Sequence, residues 1–467
     1  MKGMRPTMTS RRRIAALATT ATLALVGALA TAAPASADKP QSGHCARQSK
    51  VKVPGAEVQK VACLGDLTTA GTVKTGHTNP NDWAGLHAAG TVNPNGVPGI
   101  QVDGYFPDTS TTNANNGWNH DSQFVLRIPD HWNGGLVVSG APGVRGQYAN
   151  DFIISDYVLS KGYAFASTDK GSTGAAFYRD GSTPGGSIRE WNSRVTELTV
   201  AAKTTLKKVY AKAPKRTWMV GISNGGYLTR WQLENRPDLY DGGVDWEGTL
   251  FRSEGPNLFT YLPTALKNYP KYAATGDQAA HDAMIAAGFA PGSEFLWAFH
   301  YSYYWDLTQR IYREEFDPGW DGALDAGVPF CASGTPHCDA DYDYASRPQS
   351  VKDAVESVSL TGKIGKPMIT LHGTLDTLLP PATDSDVYDD LIEKAGSGAL
   401  HRYYSVEDGT HTDGLYTAYP TQLRPLLPCA RSAFDSLTAW VERGTPPPAE
   451  GFVARPSGGD LLNTCAL

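Results

Sequence analysis

No C-x-x-C pair occurs in this chain, basic residues are fewer than acidic ones, and past residue 30 no stretch is apolar and long enough to span a bilayer. Each absence excludes something. Without cysteines at ligand spacing there is no structural zinc site of the usual kind. The excess of acidic over basic residues argues against nucleic acid or an anionic membrane as a partner. The missing apolar run leaves nothing after the N-terminus to act as a membrane anchor. Internal repeats and low-complexity tracts are absent too.

What is present begins with an export signal. Arg11-Arg12-Arg13 precedes the Ala/Leu/Thr stretch Ile14 to Ala30, and Ala35-Ser36-Ala37 is a small-residue cleavage site. Residues 1–37 are therefore expected to be removed, leaving a secreted, soluble chain of 430 residues; Ser10-Arg11-Arg12 leaves the twin-arginine route open. The signal holds five of the 41 basic residues and none of the 47 acidic ones, so the mature chain carries a net charge of about −11. All six cysteines lie beyond it. An even number in an exported chain predicts disulfides, and local pairing is the simplest arrangement: Cys45–Cys63, Cys331–Cys338 and Cys429–Cys465.

Residues 38–97, rich in Gly, Asn, Thr and Pro, read as an irregular N-terminal cover. Strands are expected over 100–106, 123–128, 135–139 and 163–167. From Trp191 to Ala211, Val195, Leu198, Ala202, Leu206 and Val209 recur at steps of three and four, an amphipathic helix. Strands then return at 367–371 and 401–406, with helices over 386–395 and 431–443. Strands alternating with helices predict an α/β fold, a mostly parallel sheet flanked by helices. The core is expected from 98–246 and 366–467. Residues 247–365 are too long for a loop and read as an inserted lid.

Gly221-Ile222-Ser223-Asn224-Gly225 is the most informative stretch. In a chain with 49 glycines the G-x-S-x-G pattern alone is weak, so context must carry it. Thr217 to Val220 is a β-branched and apolar run, and Tyr227 to Asn235 a helix ended by Arg236-Pro237. Strand, sharp turn and helix are what a nucleophile elbow requires. A serine hydroxyl also needs a base and an acid to orient that base, and in the arrangement built on such an elbow the chain order is Ser, then Asp or Glu, then His. His411 is the expected base and Asp376 the expected acid, each a few residues past a strand's end. Asp245 and Glu247, after the strand that follows the elbow, are the rivals of Asp376. His372 at a strand end is assigned to packing. The oxyanion donors are expected at the backbone N–H of Asn224 and, from Gly140-Ala141-Pro142-Gly143, at Ala141 or Gly143, since Pro142 has no N–H; Ala141 is taken.

These segments resemble the tannase and feruloyl esterase family. The likeness lies in Tyr163-Ala164-Phe165-Ala166-Ser167-Thr168-Asp169-Lys170-Gly171, in the run from Thr199 through Lys212-Ala213-Pro214-Lys215-Arg216 to Gly226, in Leu371-His372-Gly373-Thr374-Leu375-Asp376, and in Trp440-Val441-Glu442-Arg443-Gly444. It implies an α/β-hydrolase fold with a large inserted lid, and hydrolysis of aromatic esters. The chain departs from the family at Ile222 and Thr412, where those enzymes carry a disulfide-linked cysteine pair, so it reads as a divergent relative.

The expected activity is that of a serine ester hydrolase acting on small-molecule or oligomeric esters, without cofactor or metal. A hydroxyalkanoate oligomer hydrolase, and an amidase or exopeptidase, are the alternatives. A non-catalytic adhesion module is disfavoured because all three triad members are retained. Of the lid aromatics Phe295, Trp297, Phe299, Tyr301, Tyr303, Tyr304, Trp305 and Tyr312, some are expected to line an acyl pocket. Asp339, Asp341 and Asp343 lack the Gly and distal Glu of a calcium loop and read as solvated.

Overall fold

Alternation along the strands sorts side chains to two faces. In the computed structural model, which describes residues 51–320 and 339–467, Leu136, Val138, Ala164 and Ala166 pack on one face of the central sheet. Val137, Phe165, Trp218 and Val220 pack on the other. The expected signal segment, Cys45, Cys331 and Cys338 lie outside the described residues. Cys63 is disulfide-bonded, and Cys429 is joined to Cys465 as expected.

In chain order the elements are β1 (Val58–Leu64), α1 (Thr69–Thr75), β2 (Gly99–Tyr105), β3 (Gln123–Pro129), β4 (Gly135–Gly140), α2 (Asp156–Ser160), β5 (Ala164–Thr168), α3 (Gly186–Tyr210), β6 (Arg216–Ile222), α4 (Asn224–Asn235) and β7 (Gly242–Trp246). Helices α5 (Leu258–Thr275), α6 (Gln278–Ala286), α7 (Glu294–His300), α8 (Asp306–Phe316) and α9 (Gln349–Glu356) form the insertion. The chain then returns to β8 (Met368–Gly373), α10 (Ser385–Lys394), β9 (His401–Val406), α11 (Leu427–Arg443) and β10 (Gly451–Val453). The strands form one sheet of order β1-β2-β3-β5-β4-β6-β7-β8-β9-β10. Pairing is antiparallel from β1 to β5 and parallel from β5 onward. No described helix is long and apolar enough to cross a membrane.

Two elements correct the reading of the sequence. Residues 51–97 are not merely irregular: β1 extends the sheet by pairing with β2, and α1 follows it. A short strand, β10, closes the opposite edge against β9.

The N-terminal segment is fastened to the core through Asp156, which accepts bonds from the Thr69 N–H at 2.9 Å, the Thr69 hydroxyl at 2.5 Å and the Asn93 amide at 2.6 Å. Burial pushes this carboxyl up to about 8 from 3.8. Between those values the folded chain holds a proton that the unfolded chain releases. Stability at this site is therefore greatest on the acid side and falls as pH rises toward about 8. Melting temperatures measured across that range should decline with pH, and Asp156→Asn, which cannot ionise, should flatten the decline.

Candidate active site

The elbow is built by close backbone approach. A Cβ on Gly221 would lie 2.2 Å from the Gly225 carbonyl oxygen, and one on Gly225 would lie 2.6 Å from that of Gly140. Only glycine fits either place, so β6 turns directly into α4. Ser223 sits at the turn with φ 58° and ψ −125°, a left-handed backbone that a non-glycine residue adopts only under constraint. Its N–H donates to Trp246 O at 2.9 Å, and its own carbonyl accepts the Tyr227 N–H at 2.9 Å.

The loops after β8 and β9 bring the other two residues to it. His411 Nε2 lies 3.0 Å from Ser223 Oγ, and His411 Nδ1 lies 2.7 Å from Asp376 Oδ2. Asp376 is fully buried. Its other oxygen accepts the N–H groups of Leu378 and Leu379 at 2.8 and 2.9 Å. Burial raises its pKa, but the imidazoles of His411 and His372 outweigh that and hold the carboxyl below its ordinary value. An ionised Asp376 can only accept, so Nδ1 carries the His411 proton and Nε2 is free to take one from Ser223.

His372 does more than pack. Its Nε2 donates to Leu379 O at 2.8 Å and lies 3.2 Å from Asp376 Oδ2, while Nδ1 meets the Ser385 hydroxyl at 2.6 Å. It fixes the acid from behind.

The rivals of Asp376 separate. Asp245 pairs with the buried Arg230 at 2.7 Å and accepts from Thr370 and the Gly248 N–H, which makes it a core residue. Glu247 comes closer: its Oε2 is 4.0 Å from His411 Nδ1, and its Oε1 accepts the Gly373 N–H at 2.8 Å. Burial, reinforced by the neighbouring Asp376, pushes the Glu247 carboxyl well above the usual range, so it keeps its proton. Among the described residues, Glu247, Asp376 and His411 form one of two groups whose potential ligand atoms all converge within 4.8 Å; the other is Asp108, Asp180 and Glu190. Asp339 pairs with Arg313 at 2.8 Å, and Asp343 caps a short turn through the Ala345 N–H.

Ala141, expected as the second oxyanion donor, is not placed for it. Its N–H donates to Thr168 O at 3.0 Å, one step beyond the β4–β5 ladder. Gly143, with φ 52°, lines the cavity at Ser223 instead. Asn224 straps that loop in place. Its side-chain amide donates to Gly143 O at 3.0 Å and to the Tyr312 hydroxyl at 2.5 Å, and its carbonyl accepts from Thr249 at 3.0 Å.

A cavity of about 180 Å³ opens over Ser223 and His411. Its walls are mainly apolar: Leu86 from the N-terminal segment, Leu258, Leu307 and Ile311 from the insertion, and Leu378 and Leu379 from the Asp376 loop. Of the aromatics singled out in the insertion, Tyr304 and Tyr312 line it, whereas Trp297 and Trp305 are core. Trp305 Nε1 and the Tyr261 hydroxyl donate to the carbonyls of Thr377 and Leu378, docking the insertion on the acid's loop. His300 on α7 is buried, and burial pushes its pKa down to about 3, which keeps it neutral. The sequence reading missed Leu86 and Arg145, which also lines the cavity. No periodic signal marks a loop residue.

No protein-family profile matches the chain. It is 27% identical over 148 residues to a probable feruloyl esterase of Arthroderma benhamiae, covering 28% of this chain and 27% of that protein. It is 26% identical over 144 residues to the mono(2-hydroxyethyl) terephthalate hydrolase of Piscinibacter sakaiensis, covering 27% and 23%. The chain thus spans about a quarter of the length of the curated relatives it matches. The crystal structure of feruloyl esterase B from Aspergillus oryzae superposes with a TM-score of 0.51 over 85% of this chain and 90% of that one, at 12% identity. The chain has the α/β-hydrolase fold, similar to that of feruloyl esterase B, and over part of its sequence it is similar to a probable feruloyl esterase.

Proposed function

We propose that this chain is a secreted serine ester hydrolase in which Ser223, His411 and Asp376 form the catalytic triad. The observation that carries the reading is the relay from Ser223 Oγ through His411 to Asp376, at 3.0 and 2.7 Å. Ser223 Oγ attacks the ester carbonyl while His411 Nε2 takes its proton. The imidazolium, held by Asp376, returns that proton to the leaving alcohol. Water, deprotonated by the same nitrogen, then releases the acid and restores Ser223. The tetrahedral oxyanion is held by the N–H groups of Asn224 and Gly143, each donor of this kind being worth ~10²–10³ in kcat.

The mainly apolar cavity supports a small, largely hydrophobic acyl group. Two relatives are named for esters of aromatic acids, feruloyl and terephthalate, and aromatic esters are accordingly the substrate class proposed here. Export is supported by the N-terminal signal pattern and by the Cys429–Cys465 disulfide.

The test is twofold. Mature protein is assayed on feruloyl, gallate, hydroxybutyrate-oligomer and 4-nitrophenyl esters, and is separately treated with a fluorophosphonate. Turnover and a single label on the Ser223 peptide are expected. Labelling at another residue, or none, removes the proposed nucleophile.

A further inference from the structure

One wall of the cavity carries a charge that the ester chemistry does not use. Arg145 follows Gly143 by two residues and lines the same cavity as Ser223 and His411. Its Nη1 donates to the backbone carbonyls of Asp82 at 2.8 Å and Ala84 at 3.0 Å, so the N-terminal segment fixes the guanidinium's orientation. That leaves the Nε–H and both Nη2–H groups without a partner among the described residues, and Arg145 has no ion pair there. The charge of Asp82 reaches Arg145, but the two form no ion pair: the Asp82 carboxyl accepts from Asn115 at 2.9 Å, from the Tyr148 N–H at 3.3 Å and from Asn79 at 3.3 Å. No carboxylate lines the cavity among the described residues. The open Nε–Nη2 edge is the fork that meets a carboxylate with two parallel hydrogen bonds.

We propose that Arg145 anchors a carboxylate on the substrate, so that the preferred esters are anionic ones, such as half-esters of dicarboxylic acids. This rests on the serine ester hydrolase reading and narrows its substrate class. A guanidinium without an ion pair beside mainly apolar walls disfavours a neutral ester, which leaves it unpaired, and favours one that pairs it. Arg145 is thus a specificity residue. It takes no part in the proton relay.

The experiment compares 4-nitrophenyl half-esters of succinate, adipate and suberate with neutral esters of matching chain length. A second arm uses 4-acetoxybenzoate against phenyl acetate, which puts the carboxylate on the alcohol side instead. Wild type should prefer the anionic member of at least one arm, and the arm identifies which side of the ester Arg145 meets. Arg145→Gln should lower that preference, as a ratio of kcat/KM values, by about 10- to 100-fold. Arg145→Lys keeps a cation without the fork and should fall between. Equal turnover of charged and neutral esters by wild type, or a ratio unmoved in folded Arg145→Gln, overturns the proposal. Calorimetric titration of Ser223→Ala and Ser223→Ala/Arg145→Gln with the preferred half-ester, or with the adipate half-ester if none is turned over, separates the two readings. Binding lost only in the double variant supports the anchor even if no ester is hydrolysed, whereas equal binding, or none in either, rejects it.

Discussion

Ser223→Ala is expected to lower esterase turnover at least ~10³-fold while leaving the melting temperature near that of the parent, because triad members act as a unit and no one of them works without its partners. The fold should not register the loss. The Ser223 backbone is held at φ 58° by its N–H bond to Trp246 and by the abutting glycines, and none of these involves the hydroxyl. Among the described residues, the one hydrogen bond removed is the 3.0 Å contact to His411. Turnover retained in this variant with any ester would place the nucleophile elsewhere.

The acid position gives the second large effect. Asp376→Asn should reduce kcat by up to ~10⁴, since an amide beside Nδ1 favours the tautomer that cannot accept the serine proton. The same carboxylate holds the N–H groups of Leu378 and Leu379 and the His372 imidazole, so a lower melting temperature should accompany the loss. Glu247→Gln keeps an acceptor for the Gly373 N–H and replaces a carboxyl that is already neutral; kcat should change little. Asp245→Asn should act on stability, because it weakens a buried pair with Arg230, although Arg230 retains Asp384 at 2.8 Å. Kinetics and melts of the three variants side by side decide the matter. A greater loss of kcat in Glu247→Gln than in Asp376→Asn would move the acid to the end of β7.

The residues that the sequence marked best are those fixed by local chemistry. The elbow, α3 and the strands from β2 to β9 fall within a few residues of where apolar patterning and turn residues put them, because each pattern reports a face that the same segment buries. The order Ser223, Asp376, His411 was legible because each follows the end of a parallel strand. What escaped depends on partners distant in the chain. β1 is a half-exposed edge strand whose pattern is blurred, and only its pairing with β2 makes it a strand. Whether Ala141 or Gly143 offers its N–H turns on Thr168, which takes the Ala141 proton from the next strand. Arg145 lies in a loop, and its orientation depends on the carbonyls of Asp82 and Ala84, about sixty residues earlier.

The C-terminal tail has a bearing on how the protein ages. β10 is three residues long and lies on the outer edge of β9. Arg455 is tied to the loop after β9 through Glu407 and Asp408. The tail is held at its far end by the Cys429–Cys465 bond, with the sulfur of Cys465 also meeting Arg424 at 3.1 Å. If that bond is cut, the tail keeps its pairing with β9, its polar contacts and the packing of Val453 and Leu467 on the core, but it loses its covalent tether, and release bares the peptide groups along the edge of β9. An uncovered strand of this kind is a template for the next molecule. Under reducing conditions, loss of material by self-association should therefore precede loss of the triad, and storage in an oxidising buffer protects the sheet's edge before it protects the chemistry.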